Sequence, residues 1–460
     1  MGFAPVAVAG LGDAVSELLK QLAQRIAGGE RITADRRLLR ETAAEYIAAL
    51  EHGYGKTLTG VAWDSPDFET LQRLTENVYH FSAAKNWHEL HDLTAAMRDG
   101  DRLRSFEQFE DEAQRIIGKY NSQWLRTEYN QAVAAAQAGA RWNDFSRNAD
   151  AMPYLRYQCI MDGNTRPEHA ALDGVIKRID DTFWDEYMPP NGWGCRCEAV
   201  QLPGSKYDET PNSKIILPDV PDMFRVNFGK KGVAFPAGHA YFRRLPDGFA
   251  KEAKNMAHEE VRRVIANAEQ YHKLKNDPDY KDVKFDWKTG GVKATHIGHI
   301  NHNNEKSIFM GLNPTELENA CQDELFGMGH SAIFCNESIQ TVKGKNDTAL
   351  DLLLDGKRMD IASVTKDMIN YRNVLCSKNS QLHRFNHLPY VEEKADAVCL
   401  YFHNPDMFSE QKVMDGMERL KEMRYTDKKT GEEKSVKVAI KHVYCVVRGS
   451  DKLYRYDFDE

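Results

Sequence analysis

Apolar positions recur at three- and four-residue spacing through the first third of the chain. SELLKQLAQRI (16–26), RLLRETAAEYIAALEHGYG (37–55) and SFEQFEDEAQRIIGKYNSQWLRTEYNQAVAAAQAGARW (105–142) each place an apolar stripe along a helix. The third is rich in Ala and Gln and nearly free of breakers, which predicts one or two long helices. HFSAAKNWHEL (80–90) reads as a helix entry with Ser82 as its cap. At residue 151 the texture changes. AMPYLRYQCIMDGNTRPEHAALDGVIKRIDDTFWDEYMPPNGWGCRCEAVQLPGS (151–205) has short apolar runs set among Gly, Pro, Asp and Trp, the pattern of a compact, loop-rich α+β unit. That texture continues through FRVNFGKKGVAFPAGHAYF (224–242). A charged helical stretch, AKEAKNMAHEEVRRVIANAEQYHKLKND (250–277), then leads to Gly290-Gly291 and reads as a linker.

Beyond residue 292 the pattern becomes mixed α/β. HSAIFC, ALDLLL, KRMDIASV, DAVCLYF, KHVYCVV and LYRYDF are strand-like, whereas PTELENACQDELFGMG, KDMINYRNVLCSK and SEQKVMDGMERLKEM are helical. This alternation predicts one sheet flanked by helices. The expected organisation is therefore multidomain. It comprises a mainly α N-terminal region (1–150), a small α+β loop-rich module (151–246), a charged helical linker (247–291) and a C-terminal α/β domain (292–460).

One hairpin carries candidate chemistry. In DTALDLLLDGKRMDIASV (347–364), two apolar runs meet at Asp355-Gly356, a strong turn signal. With those residues in the turn, Leu354 pairs with Lys357 and Asp351 falls opposite Asp360. Leu350, Leu352, Leu354, Met359 and Ile361 then form the core face, and both aspartates point away from it onto an exposed face. Carboxylates so placed, with Cβ atoms roughly 5 Å apart, repel unless a cation lies between them. The alternative is a solvated strand face on which two acids happen to align. Upstream, Asn313, Pro314 and Glu316 form a capping-box pattern, making Glu316 structural. Glu318 is the better candidate for a helix carboxylate beside the pair, with Glu324 and Glu337 behind it.

Composition bounds the rest. The chain has 460 residues, enough for two to four domains, and a net charge of −8, which argues against an overall cationic coat for nucleic acid but leaves room for a local basic groove. No apolar run approaches transmembrane length, and MGFAPVAVAGLGDAV lacks the basic start of a secretory signal. Of eight cysteines, Cys321, Cys335, Cys376, Cys399 and Cys445 read as free thiols of a protein made in a reducing cytosol. Cys195 and Cys197, two apart in an extended segment, would face one way with Arg196 facing the other. Cys159 and His169 could complete a tetrahedral Zn²⁺ site with them; buried thiols and a structural histidine are the alternative. Asp162, Arg166, His169 and Asp173 could form an acid–base cluster or a polar network that braces the loops. His296, His299 and His302 follow no standard ligand spacing, and His299 is a candidate for substrate contact.

The spaced set Asp162, Arg166, His169, Leu172, Gly174, Trp184, Pro189, Pro190, Trp193, Gly194, Cys195, Arg196 and Cys197 resembles the phage Mu F-type head morphogenesis (minor capsid) family, over roughly residues 75–245. The resemblance implies a low-copy head component that contacts portal and procapsid proteins. It would reside in the virion and pass into the host cytoplasm during assembly and after injection. The C-terminal region, over roughly 300–455, resembles the PD-(D/E)xK-like tRNA nuclease toxins of contact-dependent inhibition systems, with a restriction-endonuclease-like fold. That resemblance implies Mg²⁺ held by Asp351 and Asp360, assistance from Glu318, tRNA, other RNA or DNA as substrate, and an immunity protein as partner. It departs where it matters, because Ala362 stands where the family's lysine belongs. Lys378, next to Gln381 on the following helix, is the candidate replacement, with Arg358 as another. Three functions are thus open: a head protein with an active nuclease tail, a structural protein with a degenerate tail, and a metal-free RNase that uses histidines.

Overall fold

A computed structural model describes residues 10–204, 206–301, 307–338, 349–389, 391–426 and 432–458; the side chains of residues 123, 249 and 250 lie outside that description. The chain divides into two compact units, Met1–Arg263 and Val264–Glu460. Among the described residues no helix is long and apolar enough to cross a membrane.

The first unit is mainly helical. Helices α1 (Asp13–Ala27), α2 (Arg36–Tyr54), α3 (Pro66–Ala95), α4 (Phe106–Gly118) and α5 (Leu125–Arg147) carry the predicted apolar stripes. Leu18, Leu19 and Leu22 of α1 meet Leu90 and Leu93 of α3 and Phe109 and Ile117 of α4 in one core. The small residues of α5 bring backbones close: a Cβ on Gly53 of α2 would lie 2.3 Å from the carbonyl oxygen of Val133. Between α4 and α5 the helix widens into a π turn at Lys119–Trp124.

The expected cap at Ser82 is corrected. Ser82 is buried midway along α3, whose N-terminus is Ser65, accepting from the amide of Phe68 with Pro66 at the first helical position. A serine before an apolar run is ambiguous locally, and the earlier Ser-Pro pair is the true start. After α5, strands β1 (Tyr154–Gln158), β2 (Ile176–Arg178) and β3 (Glu198–Gln201) form a three-stranded antiparallel sheet with β1 in the centre.

The charged helical stretch is a helix, as read, and runs on into the second unit's sheet. It forms helix α6 (Asp247–Lys275), inside which the two units divide, and strand β4 (Tyr280–Asp286). β4 forms one edge of the second unit's sheet. The other elements are β5 (Gly291–His296), α7 (Pro314–Gly327), β6 (Ser331–Phe334), β7 (Leu352–Leu354), β8 (Lys357–Ser363), α8 (Arg372–Phe385), β9 (Ala397–Phe402), α9 (Glu410–Lys421), β10 (His442–Val447) and β11 (Tyr454–Asp457). The eight strands lie in the order β11-β10-β9-β8-β7-β6-β5-β4. β5–β6, β8–β9 and β9–β10 are parallel and the remaining pairs antiparallel, so the sheet is mixed. All six strand-like runs read from the sequence are strands here.

Both sheet faces are covered, as expected for strands joined by parallel crossovers. On one face Leu317, Cys321 and Leu325 of α7 pack against Leu352, Leu354, Met359 and Ile361. On the other, Leu375, Leu382 and Phe385 of α8, with Val413, Met417 and Leu420 of α9, pack against Ala362, Val398 and Leu400. Strand β9 alternates cleanly between these two cores.

Candidate functional site

The Asp-Gly hairpin has the predicted register: Lys357 pairs with Leu354, Arg358 with Leu353 and Met359 with Leu352. Asp355 and Gly356 have φ of 47° and 82°, the two positive values a type I′ turn requires. One step past the last ladder pair, Asp351 lies beside β8. Its Oδ1 accepts from the amide of Ile361 at 2.9 Å, so the carboxylate takes over where the β7 backbone leaves the ladder.

The exposed acid face is corrected. Asp351 and Asp360 are only 6% and 4% exposed. Leu350, expected on the face of Leu352 and Leu354, lies instead in the core under α8, because the ladder ends at Leu352–Met359 and strict alternation stops there; hairpin alternation also cannot reveal that α8 covers the second face. The same cover explains Ala362, which sits in the apolar core under α8, where a lysine would lose its solvent. The ammonium comes from α8 instead. Lys378 Nζ donates to Asp360 Oδ2, and Gln381 Nε2 donates to Asp360 Oδ1 at 2.9 Å and to the carbonyl of Ala349 at 2.5 Å.

Lys378 and Gln381 thus bond Asp360, while Asp351, Glu318 and Glu337 act on one another or on Asp360 through charge. Burial pushes the Asp351 carboxyl well above the usual carboxylate range, and the charges of Asp360 and Glu318 push it further. Asp360 is also raised by burial, with Lys378 opposing the shift. Burial pulls the Lys378 ammonium down, but Asp360 and Asp351 outweigh it, and its pKa is raised. Glu337 acts on both aspartates from the segment after β6. Glu337 Oε1 also accepts from the amide of Ile300 at 3.0 Å and lies 2.7 Å from His299 Nδ1, whose ring stacks on Phe334. The sequence ranked Glu337 third; its place depends on the β6–β7 pairing, which no local pattern displays.

Other candidates lie elsewhere. Glu316 closes the capping box with Asn313, as read. Glu324 accepts from the amide of Gly449, away from the pair. Arg358 lies over the ring of Phe385 rather than on Asp360. Of the histidine trio, His296 Nδ1 accepts from the amide of Gly298 and His299 faces Glu337, while His302 lies outside the described residues.

In the first unit the second candidate set also assembles. Extending the β1–β3 register past Gln158–Glu198 brings Cys159 opposite Cys197, and their sulfurs are 3.4 Å apart. His169, on the short helix Pro167–Ala170, places Nδ1 3.5 Å from Cys195 Sγ and 3.8 Å from Cys197 Sγ. All four residues are buried. Arg196 points away and bonds both oxygens of Asp162, at 2.7 and 2.5 Å. Arg166 instead donates to the carbonyl of Trp193 at 2.7 Å, and Asp173 accepts from the amide of Cys159, also at 2.7 Å. Asp162, Arg166 and Asp173 thus brace the loops around the thiols.

Comparison with known proteins bears on this unit. Residues 90–200 match the family described as Phage Mu protein F like protein. The Mu F-like segment thus takes in α4, α5, the three-stranded sheet and the Cys/His cluster. The chain is similar to the putative capsid assembly protein F of Escherichia phage Mu, 41% identical over 85 residues, 18% of this chain and 19% of that protein. It is also similar to the Mu-like prophage FluMu F protein of Haemophilus influenzae, 42% identical over 78 residues, 17% of this chain and 19% of that one. The matches thus span about a fifth of the length of each curated relative. No solved structure matches the chain.

The sequence reading missed a buried polar network around the Mu F-like segment. Lys85, fully buried on α3, donates to Glu128 Oε2 at 2.7 Å and to the carbonyl of Tyr120 at 3.0 Å; the Tyr46 hydroxyl donates to the same Glu128 oxygen. "FSAAK" contains that lysine, but helical spacing marks it only as one polar residue on an apolar face.

Proposed function

We propose that this protein works in phage head assembly through its Mu F-like segment. The reading is carried by the match over residues 90–200, supported by the 41% identity to a protein named for capsid assembly. Portal and procapsid proteins are the partners it calls for, and the virion the place. The test is co-expression of the full chain with the portal and shell proteins of its phage, followed by sedimentation. The chain should travel with procapsids, and Trp184→Arg, at a fully buried position of the segment, should leave it at the top of the gradient. Procapsids that assemble to normal yield without ever carrying the chain would refute the assignment.

A second activity is proposed for the Val264–Glu460 unit: divalent-metal-dependent cleavage of nucleic acid, with tRNA, other RNA or DNA as substrate, on a restriction-endonuclease-like fold. Its support is the convergence of Asp351, Asp360, Glu318, Glu337 and Lys378 from separate elements. The donor set is all carboxylate oxygen, which suits Mg²⁺. Acids raised by burial, Asp351 by the charge of Asp360 as well, also call for a cation. Asp351 and Asp360 would hold the metal with help from Glu318. When bound, Mg²⁺ supplies a Lewis acid and lowers the pKa of water. Lys378 contributes a positive charge beside Asp360, meeting from α8 the need that Ala362 leaves unmet. An immunity partner, if the host is to be spared, would have to mask this cluster. Full-length protein incubated with tRNA or DNA should cleave with Mg²⁺, stop with EDTA, and fail in Asp360→Asn while Glu324→Gln stays active. Cleavage that survives both EDTA and Asp360→Asn would sink this reading and favour a histidine-based RNase; a wild-type chain inert on both substrates would mark the tail as degenerate.

A further inference from the structure

The Mu F-like segment contains a cluster that neither proposed activity uses. Three segments deliver it: Cys159 from the end of β1, His169 from the short helix, and Cys195 and Cys197 from the loop entering β3. Among the described residues, His169, Cys195 and Cys197 are the one group of metal-ligand type whose donor atoms all lie within 4.8 Å of each other. Cys159 adjoins this trio through Cys197 at 3.4 Å.

The separations within the trio, and from Cys197 to Cys159, are close to those of one coordination; Cys159, whose thiol donates to the His169 carbonyl at 3.1 Å, stands outside the 4.8 Å group and would swing inward as the fourth ligand. Zn–S of about 2.3 Å and Zn–N of about 2.0 Å in a tetrahedron put sulfurs roughly 3.8 Å apart and sulfur roughly 3.5 Å from nitrogen. Here the sulfur–nitrogen distances are 3.5 and 3.8 Å, and the Cys159–Cys197 sulfur distance is 3.4 Å. In the metal-free chain the two thiols can share His169 Nδ1 as a weak hydrogen-bond acceptor, and the same geometry places three soft donors around one point. The contacts around the four donors hold them in this arrangement. Asp173 fixes the Cys159 backbone, Arg166 ties the helix to Trp193, and the Asp162 pair turns Arg196 outward so that Cys195 and Cys197 face inward together. The surrounding sheet has strands of only three to five residues, a setting in which a metal staple between segments adds to stability.

We propose that Cys159, His169 through Nδ1, Cys195 and Cys197 bind one zinc ion, a closed four-ligand structural site that ties together β1, the short helix and β3. Soft thiolates with one imidazole select zinc over the hard Mg²⁺ suited to the second unit. A metal with four protein ligands leaves no open position, so the site is for shape rather than reaction.

The test uses the full chain purified under reducing conditions without added metal. Elemental analysis after desalting should find zinc stoichiometric with protein. Cobalt exchanged into the site should show thiolate-to-metal charge transfer and the intense visible bands of tetrahedral coordination. Cys195→Ser and Cys197→Ser should lose both signals, while Cys376→Ser, in the other unit, should keep them. His169→Cys should retain metal with a shifted cobalt spectrum, which guards against variants that simply fail to fold. A reduced wild-type chain that takes up neither zinc nor cobalt would overturn the proposal. So would a cobalt spectrum unchanged in Cys195→Ser, or a Cys159–Cys197 disulfide in place of the metal.

Discussion

Replacing Lys378 with methionine keeps the aliphatic stem and deletes the charge. In the wild type that ammonium bonds Asp360 and acts on Asp351 and Glu318 as well. Removing one partner of a buried pair typically costs about 3–5 kcal/mol, because the remaining charge is left uncompensated. Asp360's side chain is 5% exposed but that of Lys378 is 21%, so solvent screens part of the interaction and about 2–3 kcal/mol is expected. The sign with pH follows from Asp360. Its folded pKa already lies above the unfolded value, so the folded state binds the extra proton and stability falls as pH rises past about 3.9. Losing the cation widens that gap, so the variant should be nearly as stable as wild type near the unfolded carboxylate pKa and lose stability more steeply as pH rises above it. Hydrogen exchange read on peptides covering 352–363 isolates β7 and β8 from the rest of a two-unit chain. Adding Asp360→Asn to Lys378→Met should recover most of the loss, a coupling of about 2 kcal/mol. A Lys378→Met chain with unchanged exchange at all pH values, and no coupling to Asp360→Asn, would refute the buried pair.

Three further outcomes are expected. Gly291→Ala would put a Cβ 2.1 Å from the carbonyl oxygen of Phe326, forcing α7 off β5, and should destabilise the second unit by about 1–3 kcal/mol in urea titration. Burial holds the His239 imidazole down at about 4, so the unfolded chain binds more protons between there and the ordinary value near 6.5. About 3 kcal/mol should therefore be lost as pH falls through that window; His239→Gln should flatten the slope in calorimetry of the first unit, and an unchanged slope would count against a neutral buried ring. Ala362→Lys should destabilise rather than restore a nuclease, since position 362 lies in the core with Leu375 and Val398; a gain in cleavage with unchanged melting would contradict that packing.

Several features followed from local sequence because local physics determines them. The Asp355-Gly356 turn needs two positive φ values and sets the register through Leu352–Met359, one step short of Asp351 and Asp360. The Asn313–Glu316 capping box and the alternating strands are equally short-range. The ligand-type residues Cys159, His169, Cys195 and Cys197 were legible as donors, and antiparallel pairing of β1 with β3 turned a loose spacing into contact. Burial was decided only by tertiary structure. A hairpin shows which residues share a face but not what lies over it, so the aspartates looked solvated until α8 covered them and brought Lys378 and Gln381 to Asp360. Likewise, helical spacing cannot foretell that Lys85 and Glu128 meet in the dark, or that His299 lies beside Glu337. Those contacts join residues far apart in sequence, and only packing of whole elements brings them within reach of one another.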